Sequence, residues 1–76
     1  MNAETRFRRL IRSLLARGIK PTPTLINRYL GRTGRRRLNH INGREARWRR
    51  QELIAAGWTE PSTRTTYRPH WEPPLR

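Results

Sequence analysis

The chain has 76 residues, of which seventeen are arginine and one is lysine (Lys20), against five glutamates and no aspartate, giving +13 at pH 7. That length supports one domain that buries only about 60% of its unfolded surface. With no cysteine it can hold neither a disulfide nor a Cys-based zinc site, and no apolar run is long enough for a transmembrane span.

Phe7, Leu10, Ile11, Leu14 and Leu15 recur at i, i+3, i+4, i+7 and i+8, which predicts an amphipathic helix over residues 3–17. Arg6, Arg8, Arg9, Arg12 and Arg17 lie on its flanks and far side. Gly18 is a left-handed stop, with Ile19 placed to fold back on Leu14 in a Schellman ending. Pro21, Thr22 and Pro23 break and restart the chain: Thr22 can cap free amides, and Pro23 suits the first helical position. A second helix over residues 23–30 follows, with Leu25, Ile26, Tyr29 and Leu30 expected to face inward and Gly31 to end it.

Residues 31–41 are the hardest segment to assign. Two glycines in four residues argue for a turn, Arg35, Arg36 and Arg37 form the densest charge in the chain, and Leu38 and Ile41 can peg the segment to a core. Asn42 and Glu45 then have capping-box spacing, which starts a third helix at Asn42 or Gly43 and runs it to Gly57. Its first half holds Arg44, Arg47, Trp48, Arg49 and Arg50, and its second half Leu53, Ile54, Ala55 and Ala56. This reads as a polar front that projects outward and an apolar back that anchors. Arg44, Arg47, Trp48 and Gln51 share one face, opposite Ala46 and Leu53. The arginines there are either contacts or solvated charges, and Trp48 either belongs to that surface or packs on a loop.

After Gly57 the composition turns to strand chemistry. Trp58, Thr59 and Glu60, a turn at residues 61–63, and Thr65, Thr66, Tyr67 and Arg68 predict a short β-hairpin with Arg64 near its tip. A lone hairpin is marginal in water, so Trp58 and Tyr67 are expected to anchor it on the helices. Residues 69–76, with Pro69, Pro73 and Pro74, read as an extended or disordered tail that Trp71 can dock.

Catalysis is not expected. There is no Ser/His/Asp set, paired carboxylates or glycine-rich phosphate loop, and Glu4, Glu45, Glu52, Glu60 and Glu72 read as helix-start or surface charges. His40 and His70 lie far apart without carboxylate neighbours at ligand spacing, so neither a metal nor a cofactor is expected. No signal-peptide region opens the chain, so a cytoplasmic, nucleoid-associated protein without a membrane partner is expected. A domain with this charge repels itself unless a polyanion neutralises it, and nucleic acid is the commonest such partner. Drift from Lys to Arg in a GC-rich genome explains the Arg:Lys ratio but not the scarcity of carboxylates.

Helix, Pro-Thr turn, helix, basic loop, Arg-rich helix and hairpin, in that order over residues 7–68, resemble a winged helix-turn-helix DNA-binding domain. The closest pieces are Gly18-Ile19-Lys20-Pro21-Thr22-Pro23, Asn42-Gly43-Arg44-Glu45 and Leu53-Ile54-Ala55-Ala56-Gly57-Trp58. The type is that of small regulators carried by bacteriophages and other mobile elements of high-GC bacteria. The segment between the second and third helices is longer than the usual tight turn: either residues 35–41 add a helical turn, or they begin the recognition element. The resemblance implies a mainly α fold, three helices with a C-terminal β-hairpin wing over residues 1–68.

It further implies sequence-specific binding of double-stranded DNA by a transcriptional or recombination regulator, its third helix in the major groove. Arg44 and Arg47 would then contact guanine, and Gln51, Asn39 or Asn42 adenine. Arg35, Arg36 and Arg37 would hold phosphates, and Arg64 and Arg68 would touch backbone or minor groove from the wing. Two other readings stay open. One is RNA binding through the Arg-rich segment, and the other is docking on an acidic protein through the tryptophans and the proline-rich tail.

Overall fold

A computed structural model describes residues 2–32, 37–62 and 67–75. It is mainly helical: α1 spans Ala3–Ala16, α2 Pro23–Tyr29 and α3 Gly43–Ala55. Each helix starts on a side-chain cap. Asn2 Oδ1 accepts the Thr5 N–H at 2.8 Å, Thr22 Oγ1 the Leu25 N–H at 3.2 Å, and Asn42 Oδ1 the Glu45 N–H at 2.9 Å. Such caps are worth about 1 kcal/mol each.

The helix ends are equally legible. At Gly18 (φ +73°) the Ile19 N–H donates to the Leu14 carbonyl at 2.9 Å and the Gly18 N–H to that of Leu15 at 3.0 Å, which is the expected Schellman ending. Gly57 (φ +89°) closes α3 in the same way, with the Trp58 N–H on the Leu53 carbonyl at 3.0 Å. A Cβ added at Gly57 would also meet Pro74 Cβ at 3.4 Å, so the C-terminal segment lies close over this turn.

α1 is the hub. Its stripe of Phe7, Ile11 and Leu14 is buried, and α2 and α3 each pack on it. Phe7, Ile11 and Ile26 form the centre of the core, and Leu10, Leu15, Leu30, Ile41 and Trp48 pack around them. Phe7 meets Trp48 with ring centroids 5.7 Å apart and planes at 58°, a tilted contact that adds to simple burial. α1 and α3 run side by side in the same sense. Ala3 and Gly43 line one opening at their N-terminal ends, and Leu15 and Ala56 line another at their C-terminal ends.

Three expectations need correction. First, α3 is not split into a polar front and an apolar back. Its inward stripe is Glu45, Trp48, Arg49, Glu52 and Leu53, at i, i+3, i+4, i+7 and i+8, whereas Ala46, Ala55 and Ala56 are exposed and Ile54 is 43% exposed. The helix is packed along its length, and a hydrophobicity pattern misses this because two inward positions are glutamates neutralised by arginines. Second, α2 packs through Pro23, Ile26, Asn27 and Leu30, which rotates Tyr29 outward to 53% exposure.

The third correction concerns the β-hairpin wing. Among the described residues there is no strand, only two isolated antiparallel bridges, Thr59 with Glu72 and Ser62 with Arg68. Pro61, Pro69, Pro73 and Pro74 have no N–H to donate, and one side of the return path is a residue longer than the other. A regular ladder therefore cannot propagate. Tyr67, expected to anchor the wing, is 72% exposed, while Trp58 is half-buried. Arg64, Thr65 and Thr66 lie outside the described residues.

Candidate nucleic-acid interface

Two ion-pair systems fix α3 on the rest of the molecule, and both use carboxylates that face inward. At the N-terminal end, Glu45 is buried and receives Arg32 in a two-bond fork, Nη1 to Oε1 at 2.9 Å and Nη2 to Oε2 at 2.6 Å. Arg32 Nη1 also donates to Asn27 Oδ1 at 3.2 Å, and Asn27 Nδ2 donates to the carbonyls of Leu38 (2.6 Å) and His40 (2.8 Å). Asn27 is fully buried, and its amide N–H groups are satisfied by these two loop carbonyls. The chain from Glu45 through Arg32 and Asn27 thus ties residues 38–40 to α2 and to the start of α3. Its described part holds one turn, with the His40 N–H on the Arg37 carbonyl at 3.2 Å.

On the same face two turns further along α3, Glu52 receives Arg12 Nε on Oε1 at 2.8 Å and Arg8 Nη1 on Oε2 at 2.9 Å. The bond from Arg12 foremost, with help from Arg8, holds the Glu52 carboxyl below the usual carboxylate range against the opposing effect of burial. Arg8 also donates through Nε to Glu4 at 2.9 Å and through Nη2 to Gln51 Oε1. Arg49 Nε donates to the Pro21 carbonyl at 2.7 Å, tying α3 to the turn before α2, and burial pushes its pKa down from the ordinary arginine value. Arg50 pairs with Glu60 at 3.0 Å, joining α3 to the C-terminal segment and lowering the Glu60 pKa.

Four of the five glutamates are therefore spent on Arg8, Arg12, Arg32 and Arg50. The solvent side of α3 is left with Arg44 and Arg47, one turn apart, both exposed and without a carboxylate partner among the described residues. Gln51 is exposed one turn beyond Arg47, with its carbonyl oxygen taken by Arg8. Trp48, grouped with these three on sequence, is half-buried against Phe7 and belongs to the packed side.

The remaining predicted contacts are dispersed. Asn42 is exposed but commits its side-chain oxygen to capping α3, and Asn39 is exposed in the turn that Asn27 brackets. Arg37 is exposed, whereas Arg68 is half-buried, bridged to Ser62 through its backbone and donating from Nε to the Glu60 carbonyl at 3.4 Å. Arg35, Arg36 and Arg64 fall outside the described residues. Among the described residues no His, Cys, Asp or Glu cluster could hold a metal, and no helix is long and apolar enough to cross a membrane.

Sequence reasoning missed Asn27, Arg32 and the inward roles of Glu45 and Glu52. One available signal is that Glu45 and Glu52 stand seven residues apart on the face of Trp48 and Leu53. In a chain this poor in acid, two carboxylates on one helical stripe point to buried partners. Comparison with protein-family models, curated proteins and solved structures finds no match.

Proposed function

We propose that this protein binds double-stranded DNA sequence-specifically, as a small regulator of transcription or recombination, by laying the solvent side of α3 in the major groove. The observation that carries the reading is the sorting of charge. Four of the five carboxylates are paired off against inward or flanking arginines, while Arg44 and Arg47 project from the helix surface with no carboxylate partner among the described residues. A helix of 13 residues is about 20 Å long, and a B-form major groove about 12 Å wide admits it. Arginine is the side chain best suited to the paired acceptors of guanine.

Arg37 and its sequence neighbours Arg35 and Arg36, with Arg64 and Arg68, supply phosphate contacts in this reading. They fix orientation without reading sequence. The charge left over after the internal pairs supports a strongly salt-dependent association. With six to eight phosphates neutralised, log K falls with log[salt] at a slope of roughly −5 to −7.

The test is selection of bound duplexes from a random pool, followed by titration of a selected duplex, a random duplex and a duplex RNA of equal length. The reading expects the selected DNA to bind tightest and with the steep slope. A slope shallower than about −2, or RNA bound as tightly as selected DNA, overturns it.

A further inference from the structure

Gln51 is the one uncharged polar side chain on α3 with the reach to read a base, and its neighbour decides what it can say. A free glutamine presents an acceptor and two donors, and so pairs bidentately with adenine, whose edge offers an acceptor beside a donor. Here Arg8 Nη2 donates to Gln51 Oε1. Arginine carries only donors, so the amide group turned toward it must be the oxygen, and the NH₂ must point away.

Arg8 cannot readily swing aside. Its Nε is held by Glu4 at 2.9 Å and its Nη1 by the buried Glu52 at 2.9 Å, with Arg12 on the other oxygen of Glu52 at 2.8 Å. α1 thus reaches across to α3 and fixes the polarity of an exposed side chain there.

We infer that Gln51, its oxygen turned to Arg8 and its NH₂ group turned away, leads with its donors and reads an acceptor edge, guanine first, instead of adenine. This rests on the reading that α3 enters the major groove. Guanine offers O6 and N7 side by side, thymine offers O4, and adenine places an N6 donor against the Gln51 donors. Cytosine, whose groove edge is a donor, is the worst match. Gln51 is then the specificity residue and Arg8 its positioning residue.

The experiment is site selection with the wild-type chain and with Gln51→Ala, Arg8→Ala and Arg8→Lys. The base position whose preference flattens in Gln51→Ala is the one that Gln51 reads. At that position the wild type should favour guanine over adenine by about fivefold or more. Arg8→Ala frees the amide to rotate and should move the preference toward adenine. Arg8→Lys keeps a donor-only neighbour and should keep guanine; a switch to adenine in Arg8→Ala, as against a loss of binding to all sequences, is what a merely structural role for Arg8 would not produce. If Arg8→Ala fails to fold, the wild-type preference and Arg8→Lys still decide the matter.

Adenine at that position in the wild type overturns the inference, as does a Gln51→Ala profile with no position flattened. A wild type with no sequence preference at all overturns the proposed function itself, and that outcome is distinct from the other two.

Discussion

Arg32 and Glu45 form a two-bonded ion pair across the connection between α2 and α3, at 2.9 and 2.6 Å, with the Glu45 side chain 8% exposed and that of Arg32 29% exposed. Removing one partner strands the other. Glu45→Ala should cost about 1–3 kcal/mol, the penalty for an unsatisfied, partly buried charged group, and Arg32→Ala a similar amount. The double variant should cost clearly less than the sum of the two. Urea unfolding of the three variants checks this, and strict additivity would mean that the pair contributes nothing.

Asn27 carries the next consequence. Asn27→Leu keeps the volume but leaves the carbonyls of Leu38 and His40 without their donor, so stability should fall by about 1–3 kcal/mol for the loss of these part-buried bonds. Amide hydrogen exchange should quicken in residues 37–41 more than in α1. Uniform quickening across the chain would remove Asn27 from its role in shaping that connection.

Acid should weaken the fold in a defined way. The Glu52 carboxyl is held below its ordinary value by Arg12 and Arg8, so its contribution is complete above the unfolded-state pKa of about 4.3. It is lost as pH falls from there through the folded value. Glu60 shifts in the same direction, but its pair with Arg50 is exposed and screened by salt. The thermal midpoint should therefore drop below about pH 4.5, and Glu52→Gln should be less stable than wild type at neutral pH with a flatter acid limb. An unchanged acid limb in Glu52→Gln would contradict the assignment.

The C-terminal segment behaves unlike a wing held by its tyrosine. Tyr67 is 72% exposed, so Tyr67→Ala should change stability by no more than about 0.5 kcal/mol, as surface substitutions do. Phe7 is buried at the centre of the core, and Phe7→Ala should cost about 3–5 kcal/mol. Thermal denaturation of both variants separates them, and a large loss in Tyr67→Ala would restore the anchored hairpin.

These contrasts follow what the sequence made legible. α1 and the helix ends were readable because Phe7, Ile11 and Leu14 signal burial by hydrophobicity, and Asn2, Thr22, Asn42, Gly18 and Gly57 act locally. The lengthwise packing of α3 was not, because Glu45 and Glu52 become inward residues only when Arg32, Arg8 and Arg12 arrive from distant parts of the chain. The strand propensity of residues 65–67 says nothing about whether a ladder has donors, and the surrounding prolines withhold them. The exposure of Arg44 and Arg47 was legible in the helical spacing. The clamp of Arg8 on Gln51 depends on how α1 lies against α3 and has no local signature.

The most direct measurement compares wild type, Arg44→Ala, Arg47→Ala and Arg36→Ala for affinity on a selected duplex and on a random one. Arg44→Ala and Arg47→Ala should each weaken selected-site binding by about 1–3 kcal/mol and relax one base position, with a much smaller loss on random DNA. Arg36→Ala should weaken both duplexes alike and flatten the salt slope by about one. Equal losses on both duplexes for all three variants would contradict the account, because the solvent side of α3 would then be gripping backbone and reading nothing.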